Sequence, residues 1–494
     1  MSAIKLNPKF DDLQKPQTLM KHVQELTKTS STPHAEILGE LENHFELLDF
    51  EAMANPHDVE TFKLSNKHYT VLSIENVLLV AENRKWGLCK NHSFIYLYNG
   101  SFWSELDKET FQKFLGKAAE KMGVPTFSAR YYKFRKELYE QFLGTAYLEP
   151  KPSLANKVLI NLQNGTFEVS TNGTHLRPFD RSDFLTYQLP FEYDPQAKAP
   201  LFEAYLDKVL PDLERQRVLA EYLGFVFIKH GNNKLKEEKA LILYGSGANG
   251  KSVFFEVVSA LLGAENTSNF SLQSLTNENG YYRAKIANKL VNYASEINGK
   301  LESSIFKQLV SGEPVEARLP YGDPFTLKQY AKLIFNCNEL PKEVEQTNAY
   351  FRRFLIIPFD VTIPPEEQDK DLHNKIIQSE LSGVFNWVLD GLSRLLKQKG
   401  FSSCDAAKNA IELYRIQSDS VRMFLDENEL EVSPTNHIIL KELYIDYRVY
   451  CIEDGFKPVN KTNFKKRLSS FGVSVEKKNV GYVAFLSGGK RHFK

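Results

Sequence analysis

Residues 239–252 read Lys-Ala-Leu-Ile-Leu-Tyr-Gly-Ser-Gly-Ala-Asn-Gly-Lys-Ser, and an apolar helical pattern follows from Val253 to Leu262. No other stretch constrains the chain as strongly. Gly245, Gly247 and Gly250 allow a backbone to wrap closely around an anion with its N–H groups turned inward. Ser246, Ala248 and Asn249 complete that loop. A helix opening near Lys251 adds the positive end of its dipole. In this pattern Lys251 neutralises the β- and γ-phosphates, and the Ser252 hydroxyl holds Mg²⁺. The apolar run Leu241–Tyr244 reads as a buried parallel strand. Strand, glycine loop and helix in this order predict an ATP and Mg²⁺ site in a multidomain α/β protein with a parallel sheet.

At 494 residues the chain exceeds one ordinary core. Asp194-Pro-Gln-Ala-Lys-Ala-Pro200 is polar and carries two prolines, which marks a boundary. Three regions are expected: a helical and hairpin region over 1–195, an ATPase core over 196–400, and a separate unit over 401–494. In the first, Phe94–Tyr98 and Trp103 flank Asn99-Gly100, and a second hairpin is expected at Asn164-Gly165. Phe111, Phe114, Leu115, Ala118, Ala119 and Met122 form a helical stripe. Cys89, Cys337, Cys404 and Cys451 are far apart, which disfavours a zinc ribbon or a disulfide scaffold. No apolar stretch is long enough to span a membrane, and the N-terminus lacks a signal-peptide core. The expectation is a cytoplasmic protein, bacterial on the reading below, without a membrane partner.

An ATPase also needs a carboxylate to orient the attacking water and a polar group facing the γ-phosphate. Lys289–Ala294 is a strand pattern ending in Ser295-Glu296, and Lys332–Cys337 is another, ending in Asn338. Carboxyl ends of parallel strands are where such residues face a phosphate loop. Glu296 and Asn338 are therefore the candidates.

The order GSGANGKS, YASE, KLIFNCN-ELP and Tyr350-Phe-Arg-Arg-Phe-Leu-Ile-Ile-Pro-Phe359 resembles superfamily 3 helicases. Within them it is most similar to poxvirus-type and phage or plasmid helicase-primases and to replication initiators of pathogenicity islands. The resemblance implies an AAA+ core in a homo-oligomeric ring, hexameric in the family, with ATP sites between subunits. Arg352 or Arg353 would then be the arginine finger, and the two are not separable from sequence. The acidic motif departs from the common Asp-Glu, so Glu296 serves alone and Mg²⁺ rests mainly on Ser252. The resemblance also makes Glu316–Phe325 a pore hairpin gripping single-stranded DNA, where Arg318 suits a phosphate and Tyr321 suits stacking.

The C-terminal end is directly readable. Leu440, Leu443, Tyr444, Tyr447 and Cys451 form a helical stripe, and Asn460 is placed to cap a second helix with Phe464, Leu468 and Phe471 on one face. Lys461, Lys465 and Lys466 lie on its other face. A hairpin from Val473-Ser-Val and Tyr482–Phe485, with Lys477 and Lys478 near its tip, completes a winged-helix pattern for duplex DNA. Arg130–Lys136 mixes bases and aromatics, as both single-strand grooves and ordinary amphipathic helices do. Asp58-Val-Glu60 is a D-x-E form in a loop-like setting, a weak basis for primase chemistry.

The reading is an ATP-dependent DNA helicase that initiates replication of a phage, plasmid or genomic island. It would bind origin duplex and single strand, and work with host replication proteins. The alternatives are an ATP-switched origin-binding protein without motor activity, a primase-helicase, and a motor acting on RNA or packaging DNA.

Overall fold

The computed structural model describes residues 32–55, 57, 62–91, 94–147, 157–170, 173–231, 235–295, 297, 302–320, 322–341 and 344–488. Asp58-Val-Glu60, Glu296 and Tyr321 lie outside them. The chain divides into two compact units, residues 1–193 and 194–494.

In the first unit, helices α1 (Asn66–Asn83), α2 (Lys108–Lys121) and α3 (Tyr132–Thr145) close one core. The stripe on α2 explains why: Phe111, Phe114, Leu115, Ala118 and Ala119 are buried against Ile74 and Val77 of α1 and Phe134, Leu138 and Phe142 of α3. Asp107 starts α2 by accepting from Thr110 N at 2.9 Å. The Asn99-Gly100 turn joins β2 (Phe94–Tyr98) to β3 (Trp103–Leu106), with the side-chain Oδ1 of Asn99 accepting from Ser101 N and Phe102 N. A strand not anticipated, β1 (Gly87–Asn91), pairs with the other edge of β2. The second hairpin, β4 (Val158–Leu162) and β5 (Gly165–Ser170), turns at Gln163-Asn164, one residue earlier than expected, because Leu162 pairs with Gly165. Strand β6 (Gly173–Arg177) extends this sheet.

The second unit opens with α4 (Pro200–Val209) and α5 (Leu213–Val226) and is built on five parallel strands. These are β7 (Ala240–Tyr244), β8 (Thr267–Ser268), β9 (Val291–Ala294), β12 (Lys332–Cys337) and β13 (Phe354–Pro358). Their order is β13-β7-β12-β9-β8. Strand β7 is thus flanked by two strands that come later in the chain. That is a topological switch point, where a crevice opens at the carboxyl ends of an open parallel sheet. The loop after β7 leads into α6 (Lys251–Leu262), as the apolar pattern predicts. Between β9 and β12 stand α7 (Ser303–Ser311) and an antiparallel pair, β10 (Val315–Arg318) and β11 (Pro324–Leu327).

Helix α8 (Leu381–Gln398) lies on α5 with almost no gap: a Cβ on Gly391 would meet the Ala220 carbonyl carbon at 2.3 Å. The boundary expected at 400 does not fall between packed bodies. Helix α9 (Asp405–Gln417) lays Tyr414 into the sheet core, edge-on to Phe351 and Phe354, and its hydroxyl donates to Pro341 O at 3.1 Å. The separate C-terminal core starts after it, with Val421, Phe424 and Leu425. There α10 (Leu440–Glu453) and α11 (Lys461–Ser470) pack on a small sheet of β15 (Ile438–Ile439), β16 (Val475–Lys478) and β17 (Gly481–Ala484). A further pair joins β14 (Leu430–Val432) to β18 (Leu486–Gly488).

One buried pair has no sequence signature. Lys332, at the start of β12, directs Nζ to His230 Nδ1 at 3.1 Å and over the Phe225 ring at 4.2 Å. Burial pushes the ammonium down to about 7. Among the described residues, no helix is long and apolar enough to cross a membrane.

Two outcomes are expected. A chain ending at Gly400 should be less stable than one ending at Ser418 by about 3–5 kcal/mol, the usual cost of deleting a buried aromatic; equal urea midpoints would contradict the placement of Tyr414. The Lys332 ammonium is depressed in the folded state, so between about pH 7 and the unfolded value near 10.5 the unfolded chain binds the extra proton. Stability should rise with pH across that window, and Lys332→Met should flatten the rise in denaturation series.

Candidate nucleotide site and nucleic-acid surfaces

The loop after β7 is shaped by backbone that only some residues tolerate. Gly245 has φ +157°, and a Cβ there would sit 2.2 Å from Phe359 O. Gly250 has φ +86°, and a Cβ would meet Val209 Cγ1 at 2.7 Å. Gly247 is different, since a Cβ there would reach open space. Of the three glycines, the local structure requires two, and Gly247 is left as the one facing outward. Ala248 itself takes φ +59° and is held by Ile363 N donating to its carbonyl at 2.8 Å.

Lys251 lies in the first turn of α6 and is buried. Its Nζ donates to Gly245 O at 2.5 Å and to Ser246 O and Asn249 Oδ1 at 3.1 Å. Burial lowers its ammonium below the ordinary lysine range. Lys251 is thus paired with oxygens of its own loop, partners that phosphate oxygens could replace. Ser252, the next residue, is exposed at the helix start, where a hydroxyl could meet Mg²⁺. Asn249 is buried. Its Nδ2 donates to Ser246 O and, at 2.9 Å, to Phe359 O. Tyr205 of α4 donates to Gly250 O at 2.8 Å. Neither support was visible in sequence, because α4 lies some forty residues upstream with no motif of its own.

The other strand ends converge on the same edge by register. Cys337 pairs with Tyr244, so Asn338 emerges beside the start of the loop, exposed. Ala294 pairs with Phe335, so β9 ends at this edge too, and Ser295 follows. The expected Glu296 is the next residue, outside the described ones.

The arginines sit at the opposite edge. Phe354 pairs with Ala240 and Pro358 with Tyr244. Four residue steps at ~3.3 Å put about 13 Å between those two levels, with Arg352 set further back. The two side chains also part company. Arg353 is only 9% exposed and donates to Ser311 Oγ at 2.9 Å and to Ala349 O, and it pairs with Glu238 at 3.3 Å. Arg352 is 54% exposed and meets the same carboxylate, Glu238 Oε2, at 2.8 Å from its solvent side. The structure thus separates residues that sequence reading could not. Glu238, in an ordinary charged run before β7, was missed.

At the β10–β11 hairpin Arg318 is exposed and its Nε donates to Gly322 O at 2.8 Å. The hairpin's base is held by a residue that sequence reading overlooked. Arg283 is buried and donates to Glu316 O at 2.7 Å, Leu275 O at 3.1 Å and Asn277 O. In the C-terminal core Asn460 caps α11 by accepting from Asn463 N at 2.9 Å. Phe464 and Leu468 are buried as expected, whereas Phe471 is the C-cap just past the helix and is partly buried. Lys461, Lys466 and Lys477 are exposed. Lys465 is half-buried over the Tyr482 ring at 4.0 Å, and Lys478 lies over Phe485 at 4.8 Å. The hairpin tip is Asn479-Val480, and Val473 is a buried core residue before β16 rather than part of it.

Residues 77–211 match the D5 N terminal like family, and 416–486 the poxvirus D5 protein-like family. Between them, 243–353 match a family of unknown function, DUF5906. Segments on both sides of the glycine loop are thus similar to poxvirus D5-type proteins. The chain's relatives include putative helicase 121R of Invertebrate iridescent virus 3, 24% identical over 60% of this chain and 35% of that protein. Another is putative helicase L207/L206 of Acanthamoeba polyphaga mimivirus, 26% identical over 41% of this chain and 22% of that protein. The matches thus span about a third or less of those relatives' own lengths. Two apo structures of the NrS-1 C-terminal region align at TM-scores of 0.46 and 0.47 with 14% identity, over 83% and 85% of this chain and 98% and 99% of theirs. That level of likeness carries no weight for function.

The burial difference between the arginines has a direct consequence. Arg353→Ala should destabilise the second unit by about 2–3 kcal/mol, the scale for breaking a buried charged network. Arg352→Ala should cost at most about 1 kcal/mol, as exposed pairs do. Urea denaturation of both variants checks this, and equal losses would refute it.

Proposed function

We propose that the chain is an ATP- and Mg²⁺-dependent DNA helicase with an AAA+ core, working as a homo-oligomeric ring that also initiates replication. One observation carries the reading: the phosphate loop lies at the carboxyl edge of the sheet and the exposed Arg352 at the amino edge of the strand beside it. An arginine there cannot reach its own chain's loop. It is available to a neighbour's, which is what a site shared between subunits in a ring requires. The planar guanidinium suits charge spread over transferring phosphoryl oxygens. Arg352 is therefore the finger in this reading, and Arg353 the residue that holds its strand end in place.

The other roles follow from position. Lys251 exchanges its loop carbonyls for the β- and γ-phosphates, Asn338 faces the γ-phosphate, and Glu296 orients water. Ser252 would hold Mg²⁺, which when bound neutralises developing phosphate charge. Arg318, with Tyr321, would grip a single strand from the hairpin. The C-terminal helices and hairpin act as a winged helix, with Lys461, Lys466 and Lys477 on duplex phosphates. Lys465 and Lys478, drawn over aromatic rings, contribute less. Both named relatives are viral, which favours a viral replicon over the bacterial cytoplasm expected from sequence.

Two measurements test this. Lys251→Ala should abolish ATP hydrolysis and unwinding of a forked duplex together, and should regain hydrolysis when co-assembled with Arg352→Ala. Verified mixed assemblies without recovery would sink the shared site. Lys461→Ala with Lys466→Ala should reduce the salt slope of duplex binding by about two, since each phosphate contact contributes roughly 0.9. An unchanged slope would remove α11 from the duplex surface.

A further inference from the structure

We propose that Asn249 is a positioning residue that links occupancy of the chain's own phosphate loop to the arginine end of β13, so that the finger a subunit offers depends on its own nucleotide. This rests on the ring ATPase reading above. Strand β13 lies at the edge of the sheet, and β7 is its neighbour. The pair is fastened at both ends. At the carboxyl end Phe359 N donates to Tyr244 O at 2.6 Å, Asn249 Nδ2 to Phe359 O at 2.9 Å, and Ile363 N to Ala248 O at 2.8 Å. At the amino end Ala240 N donates to Arg353 O at 2.8 Å and Lys239 Nζ to Arg352 O at 2.6 Å.

Asn249 stands where these links meet the lysine. It is 3% exposed, and one planar amide serves both sides: Oδ1 accepts from Lys251 Nζ at 3.1 Å, while Nδ2 holds Phe359 O. An ammonium has three donors, and here they face Gly245 O, Ser246 O and Asn249 Oδ1. Triphosphate oxygens carry charge, and charge-assisted bonds are about twice as strong as neutral ones, so they take the lysine from these carbonyls. The buried Oδ1 then loses its donor, an expensive state that the amide relieves by turning. Because the amide is rigid, turning its oxygen moves its nitrogen, and with it the hold on Phe359 O. Within the sheet β13 has β7 as its one neighbouring strand, and although Arg215 also holds Pro358 O at 2.9 Å and Tyr414 packs on Phe354, a shift at Phe359 passes along this strand to Arg352. Asn249 therefore reports nucleotide to the strand end that serves the next subunit.

The test is ATP hydrolysis by the assembled full chain with single-stranded DNA, measured against ATP concentration. The wild type should be sigmoidal. Asn249→Ser is uncharged and keeps a hydroxyl near Lys251, but is too short to hold Phe359 O. It should become hyperbolic, with the Hill coefficient falling from about 2 to about 1. Turnover should fall about tenfold while half-saturating ATP moves less than about threefold, a split that a merely loosened loop would not produce. A hyperbolic wild type, or a sigmoidal Asn249→Ser, overturns the proposal. Should that variant fail to fold, hydrogen exchange on the unaltered chain decides. A non-hydrolysable ATP analogue, at constant assembly state, should change exchange at 352–354 as well as at 359–363; change at the second segment alone overturns it. Hydrolysis that survives Lys251→Ala would instead defeat the ATPase reading, whereas Lys251-dependent, Arg352-dependent hydrolysis without sigmoidicity defeats this inference alone.

Discussion

The backbone pairing of β7 with β12 on one side and β13 on the other is the constraint on which the rest of the second unit depends. It aligns Tyr244, Cys337 and Pro358 at one level, so the residues that follow each of them share one edge. Parallel pairing also sets direction. Whatever precedes β13 is carried to the far edge, which is where Arg352 and Arg353 stand. The fold thus separates the glycine loop from a pair of cations by the length of one strand, and the proposed sharing of sites between subunits is a consequence of that separation.

Buried polar side chains do much of the holding, many of them by donating to main-chain oxygens. Asn249 ties the loop to the residue after β13, Tyr205 ties Gly250 to α4, and Arg283 ties the base of the hairpin to the segment before it. Buried polar groups are costly when unpaired, so such contacts fix a single geometry more sharply than apolar packing does. Arg353 belongs with them. It is satisfied by Ser311, Ala349 and Glu238, and its exposed neighbour Arg352 shares Glu238 with it.

The C-terminal portion shows the same economy at a junction. Tyr414 belongs to the sheet core although it lies fourteen residues beyond the expected boundary, and Gln346 reaches Ser418 O at 3.0 Å. Helix α9 is therefore part of the core on which the small C-terminal unit is mounted. Lys465 and Lys478 rest against aromatic faces and keep their charge there, Lys465 half-buried and Lys478 exposed.

What the sequence determined is whatever is encoded within a few residues of itself. The phosphate loop was legible because positive φ at Gly245 and Gly250 and the lysine at a helix start are local requirements. The stripe on α2, the Asn99-Gly100 turn and the Asn460 cap were legible because periodicity and turn chemistry are local too. Asn338 could be placed at a strand end for the same reason. Tertiary structure alone decided which of two adjacent arginines is exposed, because that depends on Ser311 and Glu238, remote in sequence and brought near by the sheet. It decided that Tyr414 joins the core, that Lys332 is buried against His230, and that Asn249 faces Phe359. Each of these is a long-range pairing between side chains whose types carry no spacing signal, so only the folded chain could reveal them.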